Sequence, residues 1–344
     1  MADGKKIGVV TVTYNSGKVI DEFLVSLLQQ TYSDFIVYAV DNASVDRTLE
    51  QIAAYRDPRI FVISNQKNLG VAEGNNQGIR AALEAGCDFV LLINNDTEFE
   101  ASLLEKLVAG LSEHACDMVA PKILCHDNRQ MIWAAGGGFK PLRGYAGFHY
   151  GIGEIDRGQF DAVRRVDHAP TCCLLVRQEV FSRIGLMDKR YFVYIDDADF
   201  CFRAKRSRLR LFYLPPAQLF HKVSSLTGGP ESDFNARYCT RNRIYFMLKN
   251  LGLGRALYYL PAYQMLLFLR LASRRIDVSR FALREKAFIE GIRLWGHYYI
   301  DIEATPGKAF ADLRHRKGTP PVGVIKIRWL WGWRDKQQDC ARPQ

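Results

Sequence analysis

Three polar residues that directly follow an apolar run are the part of this chain best suited to chemistry. The run Phe89–Ile93 predicts a strand buried on both faces, and Asn94, Asn95 and Asp96 come next. Ligands of open α/β sheets bind at the carboxyl ends of strands, where a carboxylate beside two amides suits a divalent cation and a sugar hydroxyl. The alternative is a polar strand end that only caps the next helix.

Two earlier strands end in polar residues as well. The apolar runs at 7–12 and 35–40 are followed by Thr13, Tyr14 and Asn15 and by Asp41. Segment 68–78 adds amides that can bond a diphosphate or sugar and glycines that let the backbone approach it, and its candidates are Asn68, Gly70 and Asn75. No G-x-G-x-x-G follows the first strand and no P-loop occurs, which disfavours both of those phosphate cradles.

Three carboxylates occupy four positions at Asp196, Asp197 and Asp199. Such crowding is costly unless a cation or proton sits among them, and a carboxylate whose pKa is raised by its neighbours suits a general base. The alternative is that these acids complement a helix dipole, which explains one or two of them more readily than three. His221, after a strand and a double proline, is either a metal ligand or a structural histidine.

Strand and helix alternate from residue 6 to about 113, an order typical of a parallel sheet with helices on both faces. Ser44 is predicted to cap the second helix. The later predicted elements are a loose segment around 136–138, a strand at 174–176, helices beginning at Gln178 and Asp196, a strand at 209–214 that stops at Pro215-Pro216, and mostly helix from Phe234 onward.

Charge is distributed unevenly along the 344 residues. The net charge is +10, yet residues 201–344 hold 27 Lys and Arg against 10 Asp and Glu. A basic, aromatic region suits phosphate groups, but the absence of RNP, zinc-finger and helix-turn-helix signatures argues against nucleic acid. Eight scattered cysteines without a signal-peptide layout predict a cytoplasmic setting, and no apolar run reaches the 18 residues of a membrane span.

In this order and spacing, the polar stations resemble the family 2 glycosyltransferases of the GT-A fold, and most of all their rhamnosyltransferase-type branch. The resemblance implies an α/β, GT-A (Rossmann-like) nucleotide-sugar transferase domain at 1–250 and a mostly helical region at 251–344. The segments that carry it are VVTVTYNS at 9–16, VDNASVD at 40–46, NLG at 68–70, GNNQG at 74–78, LINNDT at 92–97, LLVRQEVF at 174–181, YIDDADFCFR at 194–203, His221 and RNR at 241–243.

The resemblance also implies a role for each station. Asp197 matches the catalytic base, while Asp96 and His221 match the ligands of a Mg²⁺ or Mn²⁺ ion. Asn94 stands where the family has the first acid of its D-x-D motif, so the chain supplies less negative charge to the metal. The residues implied for the nucleotide sugar are Thr13, Tyr14, Asn15, Asp41, Asn68, Gly70, Asn75, Asn94, Asn95 and Asp96. Those implied for the acceptor or a phosphate are Asp196, Asp199, Arg203, Arg241 and Arg243.

The implied activity is inverting transfer of a sugar, with rhamnose as the first candidate, from a nucleoside-diphosphate sugar such as dTDP-rhamnose or a UDP-sugar. The acceptor would be a hydroxyl of a glycan or polyprenyl-linked glycan in cell-surface polysaccharide synthesis. The alternative is a non-catalytic sugar-nucleotide-binding or scaffold subunit, which Asn94 permits but Asp96 and Asp197 together argue against. A nucleotidyltransferase is disfavoured because Tyr14-Asn15-Ser16 does not fit its glycine-rich signature.

The segment 257–271 is rich in leucine and tyrosine and is flanked by Arg255, Arg270, Arg274 and Arg275. An interfacial helix at the inner face of the cell membrane has this composition, and so does a helix that packs on the catalytic domain or on a second copy in a homodimer. The tail at 326–334, with three tryptophans among basic residues, repeats the pattern.

Overall fold

The computed structural model describes residues 4–222 and 231–304, with side chains up to residue 298, so the tryptophan-rich tail at 326–334 lies outside the described residues. Its first half is the predicted alternation, with strands β1 to β4 parallel in the order β3-β2-β1-β4. The elements of this half are β1 (Ile7–Thr13), α1 (Ile20–Leu28), β2 (Phe35–Asp41), α2 (Thr48–Ala54), β3 (Ile60–Ser64), α3 (Val71–Glu84) and β4 (Phe89–Ile93).

The second half turns the sheet into a mixed one. Its elements are β5 (Thr97–Phe99), α4 (Leu103–Glu113), β6 (Met118–Cys125), β7 (Ile132–Ala134), β8 (Gly137–Lys140), β9 (Ala146–His149), β10 (Arg164–Val166), β11 (Cys173–Arg177), α5 (Gln178–Ile184), α6 (Asp196–Arg206) and β12 (Leu211–His221). The main order is β10-β12-β6-β11-β4-β1-β2-β3, and β11 lies antiparallel to both β4 and β6.

Strand β12 corrects one prediction. It does not stop at Pro215-Pro216 but continues to His221 beside β6. The register with β6 shifts between Leu214 and Gln218, so the two prolines sit in an irregular stretch where a missing N–H breaks no ladder bond. This extension places His221 at the carboxyl end of β12, opposite Thr97 of β5.

Helix α3 packs unusually close to the first strand. A Cβ at Gly74 would lie 2.8 Å from Val12, and one at Gly78 would lie 2.3 Å from Val10. These two glycines therefore serve close packing of the helix on β1, whereas the sequence suggested that they open the backbone to a ligand. The close approach seats the start of α3 directly behind the carboxyl end of β1.

Three helices complete the described chain: α7 (Asp233–Leu251), α8 (Leu253–Ala272) and α9 (Val278–Ala304). Phe246 of α7 and Phe288 of α9 join the same apolar core as α3, α5 and α6, and a second core lies on the opposite face of the sheet with α1 and α4. The junction of α7 and α8 falls at the predicted boundary near residue 250. The division into two domains stays a prediction.

Candidate active site

Asp41, at the end of β2, is the centre of a buried polar cluster. It is 1% exposed and accepts hydrogen bonds from the Thr13 hydroxyl at 2.8 Å and from the backbone and hydroxyl of Ser44. Ser44 also accepts from the backbone of Asn15, so it fixes the two strand ends to each other. The prediction that Ser44 caps α2 is wrong, because the oxygen that accepts from Thr48 at the start of that helix belongs to Asp46. Tyr14, half-exposed beside this cluster, offers a ring to a planar base.

A glycine turn links this cluster to the segment around Phe192. Gly70 has a φ of +83°, and a Cβ there would lie 2.5 Å from Phe192, so only glycine fits. The Asn68 side chain accepts from the backbone of Gly70 at 2.9 Å, and the Asn42 amide donates to the Gly70 carbonyl at 3.1 Å. The turn therefore joins the end of β2 to the segment that precedes Asp196.

The polar residues after β4 have separate tasks. Asn95 is 3% exposed and donates to the Val12 carbonyl at 2.6 Å, which ties the end of β4 to β1. Asn94 is less buried than either neighbour. Asp96 lies with its Oδ1 3.2 Å from Nε2 of His221, a residue more than 120 positions away that the extended β12 brings to it. The structure thus brings together the two residues implied as metal ligands.

A strained loop precedes the acidic cluster. Phe192, Tyr194 and Ile195 all have φ between +63° and +67°, a conformation that is rare for bulky residues and an outlier for a β-branched one. Asn242 of α7, fully buried, places its amide nitrogen 3.0, 2.6 and 2.9 Å from the carbonyls of Tyr191, Val193 and Tyr194. This asparagine clamp holds the loop that delivers α6.

The two acids at the start of α6 have different surroundings. Asp196 is 4% exposed, and its Oδ2 is buried without a hydrogen-bond partner among the described residues. Burial and the neighbouring Asp197 raise the pKa of Asp196 to about 8, so it is mostly protonated at neutral pH. The Asp197 side chain keeps 24% of its exposure; burial raises its pKa and His149 opposes that rise. Only Asp197 of this pair can therefore meet an incoming hydroxyl.

Asp196→Asn is expected to stabilise the protein at alkaline pH. The pKa of this carboxyl is about 8 in the folded state and near 3.8 when unfolded, so the folded state binds the proton more tightly. The stabilisation of the folded state by this bound proton is complete below pH 3.8 and is lost as the pH rises through 8. An asparagine cannot ionise, and at pH 9 we expect a gain of about 1–3 kcal/mol that shrinks towards zero by pH 5.

The measurement is the melting temperature of wild type and Asp196→Asn between pH 5 and pH 9. Asp34→Asn is the matched control, because Asp34 is exposed at the opposite edge of the sheet, before β2. Equal melting temperatures of wild type and Asp196→Asn at every pH would show that Asp196 is charged in the folded state.

Five predicted site residues have protein partners that account for them. Asn75 is buried with its amide 3.6 Å from the Met187 sulfur. Asp199 is fully buried among Arg203, Lys249, Asn250 and Tyr191. The three arginines donate to backbone carbonyls. Arg203 donates to Ile184 and Leu186. Arg241 donates to Arg190 and Tyr191, and Arg243 donates to Arg143 and Gly144. The polar groups of these five residues are therefore engaged within the protein.

A row of rings that the sequence analysis missed runs from the Asp96–His221 pair to the acidic cluster. Trp133 packs on His221 with ring centroids 4.5 Å apart, His149 stacks on Trp133 at 5.3 Å, and His168 stacks on His149 at 5.0 Å. Nε2 of His168 then lies 3.8 Å from Oδ2 of Asp197. The density of aromatics around 133–150 was the only sequence signal. The row therefore connects the Asp96–His221 pair to Asp197 through direct contacts.

A second group of possible metal ligands lies on the surface nearby. Glu22, Glu98 and His126 offer one ligand atom each, all within 4.8 Å of one another. Arg129 pairs with Glu98 at 2.6 Å, and Lys222 pairs with Glu22. These cations neutralise the two acids, which disfavours binding of a metal ion by this group. It is distinct from Asp96 and His221.

Comparison with solved structures identifies the fold. The fold matches that of S. aureus TarS 1–349 in complex with UDP, with a TM-score of 0.55 and 18% identity over 90% of this chain and 88% of that one. It also matches the mannosyltransferase PcManGT from Pyrobaculum calidifontis in complex with GDP-Man and Mn²⁺, with a TM-score of 0.52 and 14% identity over 90% and 84%. The predicted GT-A fold with a mostly helical C-terminal region is confirmed.

The chain belongs to glycosyl transferase family 2, whose model matches residues 8–185. Among its relatives is N-acetylglucosaminyl-diphospho-decaprenol L-rhamnosyltransferase of Mycobacterium tuberculosis, 27% identical over 265 residues that cover 72% of this chain and 86% of that protein. The predicted membership, close to rhamnosyltransferases, is confirmed, and the protein is a glycosyltransferase.

Proposed function

We propose that the protein transfers a sugar with inversion from a nucleoside-diphosphate sugar, dTDP-rhamnose first and a UDP-sugar second, to a hydroxyl of a glycan or polyprenyl-linked glycan in cell-surface polysaccharide synthesis. The observation that carries the proposal is the row of rings that connects the Asp96–His221 pair to Asp197. The lipid-linked acceptor and the rhamnosyl group are taken from the name of the mycobacterial relative. The donor screen described below identifies the nucleobase and the sugar of the donor.

The donor's nucleoside would lie against the carboxyl ends of β1 and β2. Tyr14 offers a half-exposed ring for the base, and Asp41, held by Thr13 and Ser44, offers its remaining lone pairs to the base or ribose. The glycine at position 70 makes room for Phe192, so the turn contributes by holding the segment before Asp196 beside the end of β2. The half-buried Asn94 would bind the ribose or the donor sugar through its amide.

A divalent cation fits between Asp96 and His221. A carboxylate oxygen and an imidazole nitrogen 3.2 Å apart form a mixed donor set, and imidazole favours Mn²⁺ over Mg²⁺. The ring of His221 is oriented by packing on Trp133 and by the neighbouring thiol of Cys172. Such an ion, when bound, would neutralise charge on the departing nucleoside diphosphate.

Asp197 would act as the general base. Its carboxylate accepts the proton of the acceptor hydroxyl, the oxygen attacks the anomeric carbon, and the bond to the nucleoside diphosphate breaks on the opposite face. One displacement without an enzyme nucleophile inverts the anomeric centre. Asp196, protonated at neutral pH, adds no second negative charge beside the base.

A donor screen tests the proposed function. The purified protein is given dTDP-rhamnose, UDP-N-acetylglucosamine, UDP-galactose or GDP-mannose with Mg²⁺, Mn²⁺ or EDTA, together with N-acetylglucosaminyl-diphospho-decaprenol. We expect one donor to release its nucleoside diphosphate and to give an inverted glycosidic product. Donor binding without turnover would favour the scaffold alternative, and no binding of any donor would refute the nucleotide-sugar site.

Helix α8 supports a proposal about where the protein works. Of its twenty residues only Ala256 and Leu267 are buried, and Leu257, Met265 and Phe268 are 75%, 63% and 56% exposed. Arg255 and Arg270 on the helix and Arg274 and Arg275 after it are exposed too. No helix in the two described ranges is long and apolar enough to span a bilayer. The protein is proposed to bind anionic lipid peripherally, at the cytoplasmic face of the membrane, where a polyprenyl-linked acceptor is anchored.

Leu257→Asp/Phe268→Asp is expected to weaken binding to vesicles of phosphatidylglycerol and phosphatidylcholine at least 10-fold, because burial of two large apolar side chains contributes roughly 1.5–3 kcal/mol each. Co-sedimentation measures the bound fraction, and Ile152→Asp is the control because Ile152 is exposed on a loop between β9 and β10. If the wild-type protein does not bind vesicles but forms dimers, and the double variant is monomeric, this face is the interface of a homodimer.

A further inference from the structure

His168 is a buried histidine that the mechanism above does not use. It is 3% exposed, the Phe148 carbonyl faces its ring, and Nε2 has no hydrogen-bond partner among the described residues. A buried polar atom without a partner costs about 1–3 kcal/mol. An unpartnered Nε2 beside the carboxylate of Asp197 points to a partner that is reached during the catalytic cycle.

Packing fixes the ring of His168. One face stacks on His149, and the edge of Phe139 lies 5.5 Å away, centroid to centroid. The hairpin β8–β9 closes on the ring at two glycines: a Cβ at Gly137 would lie 3.2 Å from Nδ1, and one at Gly147 would lie 3.3 Å from Cε1. The ring therefore has a defined direction although no hydrogen bond orients it.

That direction leads to Asp197. Nε2 of His168 lies 3.8 Å from Oδ2 of the carboxylate, whereas Oδ1 already accepts the backbone N–H of Ala198 at 2.6 Å. A movement of about 1 Å would bring Nε2 to hydrogen-bonding distance. The carbonyl of Phe148 also faces the ring and is the competing acceptor.

We infer that His168 is a positioning residue for the general base, and that its Nε2–H donates to Oδ2 of Asp197 when the acceptor is bound. With Oδ1 held by Ala198 and Oδ2 held by His168, the carboxylate cannot rotate, and a remaining lone pair of Oδ2 faces the acceptor hydroxyl. The inference rests on the proposed function, because it assumes that Asp197 is the base.

Electrostatics agrees with a neutral donor. Burial lowers the pKa of His168 and of His149 to about 4, so both rings are uncharged at pH 7 and each carries one N–H. A carboxylate facing Nε2 favours the tautomer with the proton on that nitrogen. The titratable groups that face Asp197 are Asp196 and Cys201 of α6, His149 at the end of β9, His168 before β11 and Cys239 of α7.

Two variants separate donation from packing. His168→Phe keeps the ring volume but has no N–H, and His168→Gln keeps a donor near the position of Nε2. With the donor identified in the screen and N-acetylglucosaminyl-diphospho-decaprenol as acceptor, we expect kcat to fall about 10- to 100-fold in His168→Phe, as for other partners that orient a reacting group, with KM for the donor unchanged. His168→Gln should recover part of the loss. Circular dichroism and melting temperature establish that both variants fold.

Two spectroscopic readouts do not depend on turnover, and both are taken with N-acetylglucosaminyl-diphospho-decaprenol bound and no donor present. In ¹⁵N-histidine-labelled wild type, the His168 signals should report the Nε2–H tautomer, and the Nδ1–H tautomer would overturn the inference. In ¹³C-aspartate-labelled protein, the pKa of Asp197 should rise in His168→Phe and return towards the wild-type value in His168→Gln, because a donated hydrogen bond stabilises the carboxylate. An Asp197 pKa that is identical in all three proteins would also overturn it.

The two levels of proposal can fail separately. If Asp197→Asn is inactive while His168→Phe keeps wild-type kcat, the positioning role is refuted and the base assignment stands. If Asp197→Asn keeps full activity, the base assignment fails, and the positioning role fails with it.

Discussion

Asp197→Asn is expected to lower kcat about 1,000-fold, because a general base contributes roughly 10²–10⁴-fold. The asparagine keeps the shape of the side chain, and its oxygen can still accept the Ala198 N–H. The fold and the surroundings of residue 197 should therefore be unchanged. It cannot take the proton of the acceptor hydroxyl. The dissociation constant for the donor should therefore stay within about twofold of wild type.

The measurement is the initial rate of glycoside formation at saturating donor and acceptor, with calorimetric titration of the donor. Asp34→Asn controls for the loss of a carboxylate at the far edge of the sheet and should behave as wild type. Because burial raises the pKa of Asp197, kcat in wild type should fall as the pH drops through a value above the ordinary aspartate range. Equal rates for Asp197→Asn and wild type would exclude this residue as the base.

Asp96→Asn is expected to have the second largest effect, a loss of about 100-fold in kcat/KM for the donor. The carboxylate is the anionic member of the proposed metal site, and its amide replacement leaves only His221 as a strong ligand. Manganese affinity in the presence of the nucleoside diphosphate should fall at least 10-fold, as is usual when a metal site loses a directing group.

Electron paramagnetic resonance of free Mn²⁺ measures that affinity without turnover. His221→Gln should show a smaller fall in the same direction, and Asp34→Asn should show none. EDTA should abolish activity of wild type and Mn²⁺ should restore it. Full activity of wild type in EDTA, or unchanged Mn²⁺ affinity in Asp96→Asn, would remove the metal from the mechanism.

The parallel half of the fold could be predicted because its signals are local. Apolar runs such as Phe89–Ile93 and the helical spacing between them are visible within short windows. The path of β12 could not be predicted, because Pro215 and Pro216 are tolerated only through the register shift against β6, a strand about 90 residues earlier. A proline ends a strand by default, and a distant partner decides otherwise.

The same distinction applies to the site. Asp41, Asp96 and Asp197 could be found because each stands at the end of a strand or the start of a helix, where topology gathers ligand-binding residues. His168 and His149 could not, because nothing in their neighbourhood along the chain predicts that they reach Asp197. In the RNR segment at 241–243 the charged residues were the natural candidates, yet Asn242 between them holds the strained loop.

The asparagine clamp has a consequence for protein engineering. The segment matched by the family model ends at residue 185, whereas the loop that presents Asp197 is held from α7, well beyond that limit. A chimera that exchanges the C-terminal helices of two relatives to redirect acceptor choice would also exchange the side chain that braces the base. A crossover point in the turn at Gly252, after α7, keeps the brace with its own loop, but the incoming α9 must retain a glycine at position 291, where a Cβ would lie 2.4 Å from the Arg241 carbonyl of α7.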